Sequence, residues 1–187
     1  MVSTENPLEV VSIRPARSAD LDAILPLNEA AMPHVSFVDR DLFTRFLSAP
    51  YFGVICVNEV LAGFVVALGP GFDYDSPNYR WFCDAFPSFL YIDRVVVAAA
   101  YQRRGLANRL YDDVETFAIG RAPVVTCEVN TRPRASESLA FHRQRRFLRV
   151  GAQDTEQGKK SVALLAKHVG VGPNPLVRLQ AEALLDD

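Results

Sequence analysis

The sequence predicts an α/β protein built on one mixed, mostly antiparallel, twisted sheet of about seven strands with helices on both faces. Three observations predict it. Apolar residues recur at helical spacing in the first part of the chain and then switch to strand-like runs. Three strand-like segments follow one another in the middle, which implies antiparallel pairing. An amphipathic helix then separates "FLYIDRVVV" from "VVTCEVN", and a helical crossover implies a parallel step. The 187 residues, 49% apolar and 22% charged, suit a domain that buries its core without disulfide staples. That domain is expected over residues 1–168, followed by a tail over 169–187.

The elements follow in order. "EVVSIRPA" alternates as a first strand that Pro15 ends. In "SADLDAILPLNEAAM", Ser18 is the expected N-cap, and Leu21, Ile24, Leu25 and Asn28 share a helical face. Pro26 predicts a kink or break there. Residues 39–47 predict a second helix with Leu42, Phe43, Phe46 and Leu47 on one side. "YFGVICVNEVLAGFVVALG" reads as two strands around an Asn58-Glu59 hairpin turn. "FLYIDRVVV", "VVTCEVN", residues 147–152 and "SVALLAKHV" supply the remaining strands. Helices are expected near 102–119 and 136–145.

Residues 69–88 are longer than a compact connection needs. Ser76 as N-cap and Pro77 at the first helical position predict a short helix there. Phe72, Tyr74, Tyr79, Trp81 and Phe82 crowd beside Asp73 and Asp75. They form either a minor core under a flap or a wall of an acceptor pocket. In the tail, Leu176, Leu179, Ala183 and Leu184 lie near helical spacing and pack either on the domain or on another subunit, so a homodimer stays open.

A net charge of −2 gives no global reason to expect nucleic acid or a membrane surface as partner. No apolar run reaches the length of a membrane span. "MVSTENPLEV" has neither a basic nor an apolar leader region, so a cytoplasmic protein is expected. The three cysteines, Cys56, Cys83 and Cys127, show no metal-ligand spacing and are expected as reduced thiols. No metal is expected.

The chemistry concentrates in "RVVVAAAYQRRGLANRLYDDVETFA". Leu106, Leu110, Val114 and Phe117 recur at helical spacing, and Gly120 is a natural stop. The helix is expected to begin near residues 103–105. Its first turn leaves backbone N–H groups unpaired, and the macrodipole adds positive charge. Gly105 and Ala107 let a bulky anion approach the backbone, while Arg103 and Arg104 add mobile charge. That is the chemistry of a phosphate cradle. The bland alternative is a helix start with solvated arginines.

"QRRGLA" (Gln102, Gly105, Ala107) fits Q/R-x-x-G-x-G/A between a strand and a long helix, and so resembles the signature of the GNAT N-acetyltransferases. The element order resembles that family over residues 10–169. "VNTRPRASESLAFHRQRRFLRVG" resembles its second motif, and "LYIDRVVV" and "CEVN" resemble a group of uncharacterised bacterial predicted acetyltransferases. The resemblance implies acetyl-CoA as acyl donor, with its pyrophosphate on the backbone of Arg103, Arg104, Gly105, Leu106, Ala107 and Asn108, next to Gln102. It implies a pantetheine arm along Val95, Val96 and Val97. Asn130, Ser138 and Phe141 are expected cofactor contacts, with a solvent-facing Ser138 as the alternative.

Acetyl transfer to an amine needs a base, because a lysine-type amine has a pKa of about 10.4 and an α-amine about 8. Asp93 is the first candidate. Alternation places Tyr91, Asp93, Val95 and Val97 on one face, and a carboxylate among Val and Ile needs a reason to be there. A buried salt bridge and recognition of the substrate ammonium are its alternatives. Glu128 is the weaker candidate. His142 stands where the family usually has a tyrosine on the second-motif helix; a general acid and a packed histidine bonded to backbone both fit. The backbone N–H of Val95 is expected to face the oxyanion. Arg146 stands where the family often has a glycine in a left-handed helix cap. Asn28, Glu29, Phe37, Phe72, Tyr74, Trp81 and Tyr91 are expected to bind the acceptor.

These readings predict an N-acetyltransferase acting on a primary amine by direct attack in a ternary complex, since no activated serine or cysteine constellation is present. A non-catalytic acyl-CoA sensor is the alternative, and a structural protein with a vestigial fold the third.

Overall fold

Seven strands and five α-helices stand among residues 9–155 and 158–177, which the computed structural model describes. They run β1 (Val11–Pro15), α1 (Leu21–Ala30), α2 (Arg40–Phe46), β2 (Tyr51–Val57), β3 (Val60–Leu68), α3 (Pro77–Ala85), β4 (Leu90–Val97), α4 (Leu106–Ala118), β5 (Val124–Arg132), α5 (Ser136–Gln144), β6 (Leu148–Thr155) and β7 (Lys160–His168). The sheet order is β1-β2-β3-β4-β5-β7-β6. The β4–β5 ladder is parallel and pairs Leu90 with Val125 and Tyr91 with Thr126. This is the step that the helical crossover predicts. Contacts gather into two compact units, residues up to Val66 with Arg94–Asp113, and Ala67–Asp93 with the residues from Val114 onward.

In the first unit, β1 pairs antiparallel with β2 from Val11↔Val57 to Pro15↔Gly53. The β2–β3 turn places Asn58 at φ 48° and Glu59 at φ 66°, the left-handed pair that a two-residue hairpin requires. Gly63 is fixed by close approach: a Cβ there would lie 2.5 Å from the Val96 carbonyl oxygen. Asp39 caps α2 by accepting from the Leu42 N–H at 2.8 Å. The helix buries Phe43 and Phe46, and Phe43 meets Phe64 edge-on with ring centroids 5.7 Å apart.

Two expectations for the first helix are corrected. Ser18 does not cap it but opens a 3₁₀ turn over Ser18–Asp20. The Asp20 carboxylate accepts from the Arg17 N–H at 2.7 Å and takes a two-pronged bond from Arg14. Pro26 does not break the helix, which continues to Ala30. An interior proline costs about 3 kcal/mol, and the burial of Leu21, Ile24 and Asn28 along one face opposes that cost.

In the second unit, β7 pairs antiparallel with both β5 and β6. Ser76 caps α3, accepting from the Tyr79 N–H at 3.3 Å, with Pro77 in the first turn. Tyr79 pins the segment before α3, donating to the Gly69 carbonyl at 2.6 Å and accepting from the Phe72 N–H at 2.8 Å. Tyr79, Phe82, Phe86, Phe89 and Tyr91 are buried, so much of the aromatic cluster forms a minor core. Trp81 seats against Gly151, where a Cβ would come within 2.8 Å of the indole. Glu115 accepts from Arg145 at 2.8 Å and Lys167 at 2.6 Å. Arg146 holds φ 64° at the end of α5, so the left-handed cap forms without glycine. Leu176 in the tail is buried; Leu179, Ala183 and Leu184 lie outside the described residues.

Gly63→Ala should lower stability by about 1–3 kcal/mol, because the new methyl group has only backbone to push against. Arg146→Gly should raise it by up to about 1 kcal/mol, since relief of left-handed strain exceeds the entropy of an added glycine. Urea unfolding midpoints of the two variants measure both.

Candidate active site

The turn between β4 and α4 is shaped by two left-handed residues, Arg103 at φ 63° and Gly105 at φ 78°. They swing the chain from the end of β4 into α4, whose first residue is Leu106. The first helical turn has no intrahelical partner for its N–H groups. A Cβ on Gly105 would meet nothing within 4 Å, so the backbone there faces open space. The Gln102 side chain donates to the Val97 carbonyl at 3.1 Å and braces the turn against the strand. Arg104 pairs with Glu9 and stacks over the Tyr101 ring. Leu106 is a core residue, so only its backbone can serve a ligand. Val95 and Val97 are half-buried on one face of β4, and Val96 is buried on the other.

A second centre lies on β4, β5 and α3. Glu128 Oε1 accepts from the Asn78 side-chain amide at 3.2 Å. Its Oε2 is buried, as is the Tyr91 hydroxyl, and neither has a hydrogen-bond partner of normal geometry. Burial pushes the Glu128 carboxyl up from the ordinary 4.5 to about 7; the Asp93 charge adds to the rise, and Tyr91 and Asn78 oppose it. Asp93 is half-buried on the same face of β4 as Tyr91. A carboxylate of this kind takes a proton readily near neutral pH, as a general base must. The sequence ranks it behind Asp93 because alternation along β5 does not reveal which way Glu128 points.

His142 is 5% exposed. Its ring stands edge-on to Phe141 and Phe147. Nδ1 lies 2.7 Å from the Ser138 carbonyl oxygen, which can only accept, so Nδ1 carries the proton. Burial holds the imidazole below its ordinary range, with the Ser138 carbonyl opposing and Arg145 adding to the shift. These features favour the packed histidine over an imidazolium acid. Ser138 and Asn130 are half-buried.

The residues expected at the acceptor are scattered in character. Asn28 is 2% exposed, and its amide is occupied, donating to the Ser36 carbonyl at 3.2 Å and accepting from Arg94 at 2.9 Å. It is a strut rather than a wall. Arg94, itself 3% exposed, also donates to Ser36 and lies over the Phe43 and Phe46 rings. Glu29 is exposed, and Phe37 is 68% exposed. Phe72, Tyr74 and Trp81 are half-buried, and Tyr91 is wholly buried.

Residues 21–147 match the model of the acetyltransferase (GNAT) family. The chain belongs to that family. This GNAT protein is an acetyl-CoA-dependent acetyltransferase, as the resemblance implied. Its fold is shared with the ribosomal-protein-S18-alanine N-acetyltransferase of Escherichia coli, at 14% identity and TM-score 0.68 over 88% of this chain and 97% of the other. Naa50 of Arabidopsis thaliana, solved with the bisubstrate analogue CoA-Ac-MVNAL, gives 14% identity and TM-score 0.65 over 84% and 97%. A GNAT acetyltransferase of Streptococcus pneumoniae gives 17% and 0.65 over 86% and 100%. No curated protein sequence matches the chain significantly. No group of metal-ligating side chains and no helix long and apolar enough to cross a membrane occurs among the described residues.

Because the folded state raises the Glu128 pKa, stability is greatest when this group is protonated. The loss begins above pH 4.5 and levels off above about 7. A shift of this size is worth up to about 3 kcal/mol. Glu128→Gln should therefore be more stable than wild type at pH 8, with the difference shrinking toward pH 4.5, as denaturant melts across that range will record.

Proposed function

We propose that this acetyltransferase moves acetyl from acetyl-CoA to a primary amine by direct attack, with Glu128 as general base. The observation that carries the reading is a half-buried glutamate on β5 whose Oε1 accepts from Asn78 and whose Oε2 is shut from solvent; its pKa, raised to about 7, accords with that setting. The ammonium gives one proton to Glu128, the freed lone pair attacks the thioester carbon, and the nitrogen loses its second surplus proton to solvent as the intermediate collapses. The C–S bond then breaks, and CoA leaves as thiolate and takes a proton from solvent, a modest demand for a thiol of pKa about 8.5. The Val95 N–H faces the oxyanion, a role worth about 3 kcal/mol. Asp93 attracts the incoming ammonium. Here it passes the base role to Glu128, and His142 holds the helix rather than supplying a proton.

The donor's diphosphate suits the backbone from Arg103 through Asn108. The open space over Gly105 and its left-handed backbone at the entry to α4 support that fit. The acceptor is a small-molecule or peptide amine, and a cationic one accords with the paired carboxylates.

Glu128→Gln should bind acetyl-CoA as wild type does and lose about a hundredfold or more in kcat. Wild-type kcat should rise with pH through about 7, the value set by Glu128. Gly105→Val should instead weaken acetyl-CoA binding at least about tenfold, because a β-branched residue resists positive φ and covers the cradle. Isothermal titration and CoA-release assays over a panel of amines separate these effects. Tight acetyl-CoA binding with no turnover on any amine would replace the enzyme with the sensor.

A further inference from the structure

We infer that Asn78, on helix α3, is a positioning residue that holds the Glu128 carboxylate in place and fixes the pH at which it accepts a proton. The inference rests on Glu128 being the base.

The geometry is specific. The Asn78 amide nitrogen lies 3.2 Å from Glu128 Oε1, and the Asn78 side chain is buried. An amide N–H donated to a carboxylate favours the ionised form. The Tyr91 hydroxyl also acts on this carboxyl and favours its ionised form, so Asn78 and Tyr91 share that restraint, and Asn78 is the one whose bond has normal geometry. Asn78 Oδ1 has no partner. A buried amide with one end unsatisfied costs free energy, and its bond to Glu128 is the evident return.

Asn78 reaches this position because α3 is fastened at several points. Ser76 caps the helix. The next residue, Tyr79, bonds both Gly69 and Phe72. Trp81 rests on Gly151, which has no Cβ to displace it. The flap over residues 69–88 thus delivers one amide to a carboxylate fifty positions along the chain.

The groups that act on Glu128 are few. Tyr91 and Asp93 come from β4, and Asn78 from α3. Cys127 is the neighbour on β5. Tyr74, ahead of α3, acts on Tyr91. The β7 residue in register with Glu128 is Leu164, which carries no charge. Asp93 and burial raise the proton affinity, while Tyr91 and Asn78 restrain it. Loss of the Asn78 donor should therefore move the Glu128 titration upward.

The test needs no acceptor. In protein labelled with ¹³C at the glutamate side-chain carboxyl, the Glu128 resonance is assigned by its disappearance in Glu128→Gln and followed against pH. Asn78→Leu should raise the wild-type midpoint by about one pH unit, the loss of one hydrogen bond to a charged group. Asn78→Ala, which admits water, should raise it by less and serves if the leucine variant does not fold. A midpoint unmoved in a folded variant would overturn the inference and leave the base assignment intact. A wild-type midpoint near 4.5, the ordinary glutamate value, would instead overturn the base assignment.

Discussion

Desolvation of one carboxylate organises the chemistry of this fold. Glu128 sits on β5 with its Oε2 shut from solvent, beside Tyr91 and Asn78, and with Leu164 in register on β7. Ionising a group in such surroundings is costly, and proteins meet that cost by pairing the charge or by keeping the proton. Here the chain does some of each. The Asn78 amide satisfies one oxygen, and the carboxyl keeps its proton up to near neutral pH. The cost in stability is the same quantity that raises the group's affinity for a proton. Stability and basicity at this site are one property measured in two ways.

The turn into α4 shows the complementary arrangement for an anion. Its means are backbone conformation and absence of bulk. Arg103 and Gly105 hold positive φ, and only the second does so without steric cost. Arg104 looks like a phosphate ligand in the sequence, yet Glu9 and Tyr101 engage it. The side chain is thereby held beside the turn rather than over it, and the proposed cradle consists of main-chain amides.

Much of the fold was legible because its signals are local. Asn58-Glu59 marked a hairpin, Ser76-Pro77 marked α3, and Leu106, Leu110 and Val114 marked the buried face of α4. Ser18 failed as a cap because the helical turn starts on it, with Arg17 in the cap position and the Asp20 carboxylate accepting from the Arg17 N–H. Pro26 failed as a break because the burial of its helix face is a tertiary effect that propensity does not record. The site was less legible for the same reason. Strand parity placed Asp93 on the face of Tyr91, Val95 and Val97, and their shared partial or full burial agrees with that alternation. Nothing local distinguished Glu128 from Asp93, since the difference is burial by distant elements. Asn28 reads as an acceptor contact in the sequence, yet its amide oxygen accepts from the guanidinium of Arg94, sixty-six residues away. Asn78 carried no signal at all beyond its place near a helix start.

The Arg94 cluster gives the first unit an unusual freedom. A guanidinium seated over two phenylalanine rings and bonded to Asn28 and Ser36 fastens the backbone of the α1–α2 connection from beneath. The outward side chains of that connection, Met32 and Phe37 among them, contribute little to its anchorage. Such a segment can exchange its surface chemistry over evolutionary time while its path through space is preserved, so descendants of one ancestor can diverge in what they greet at this rim without rebuilding the strand beneath it.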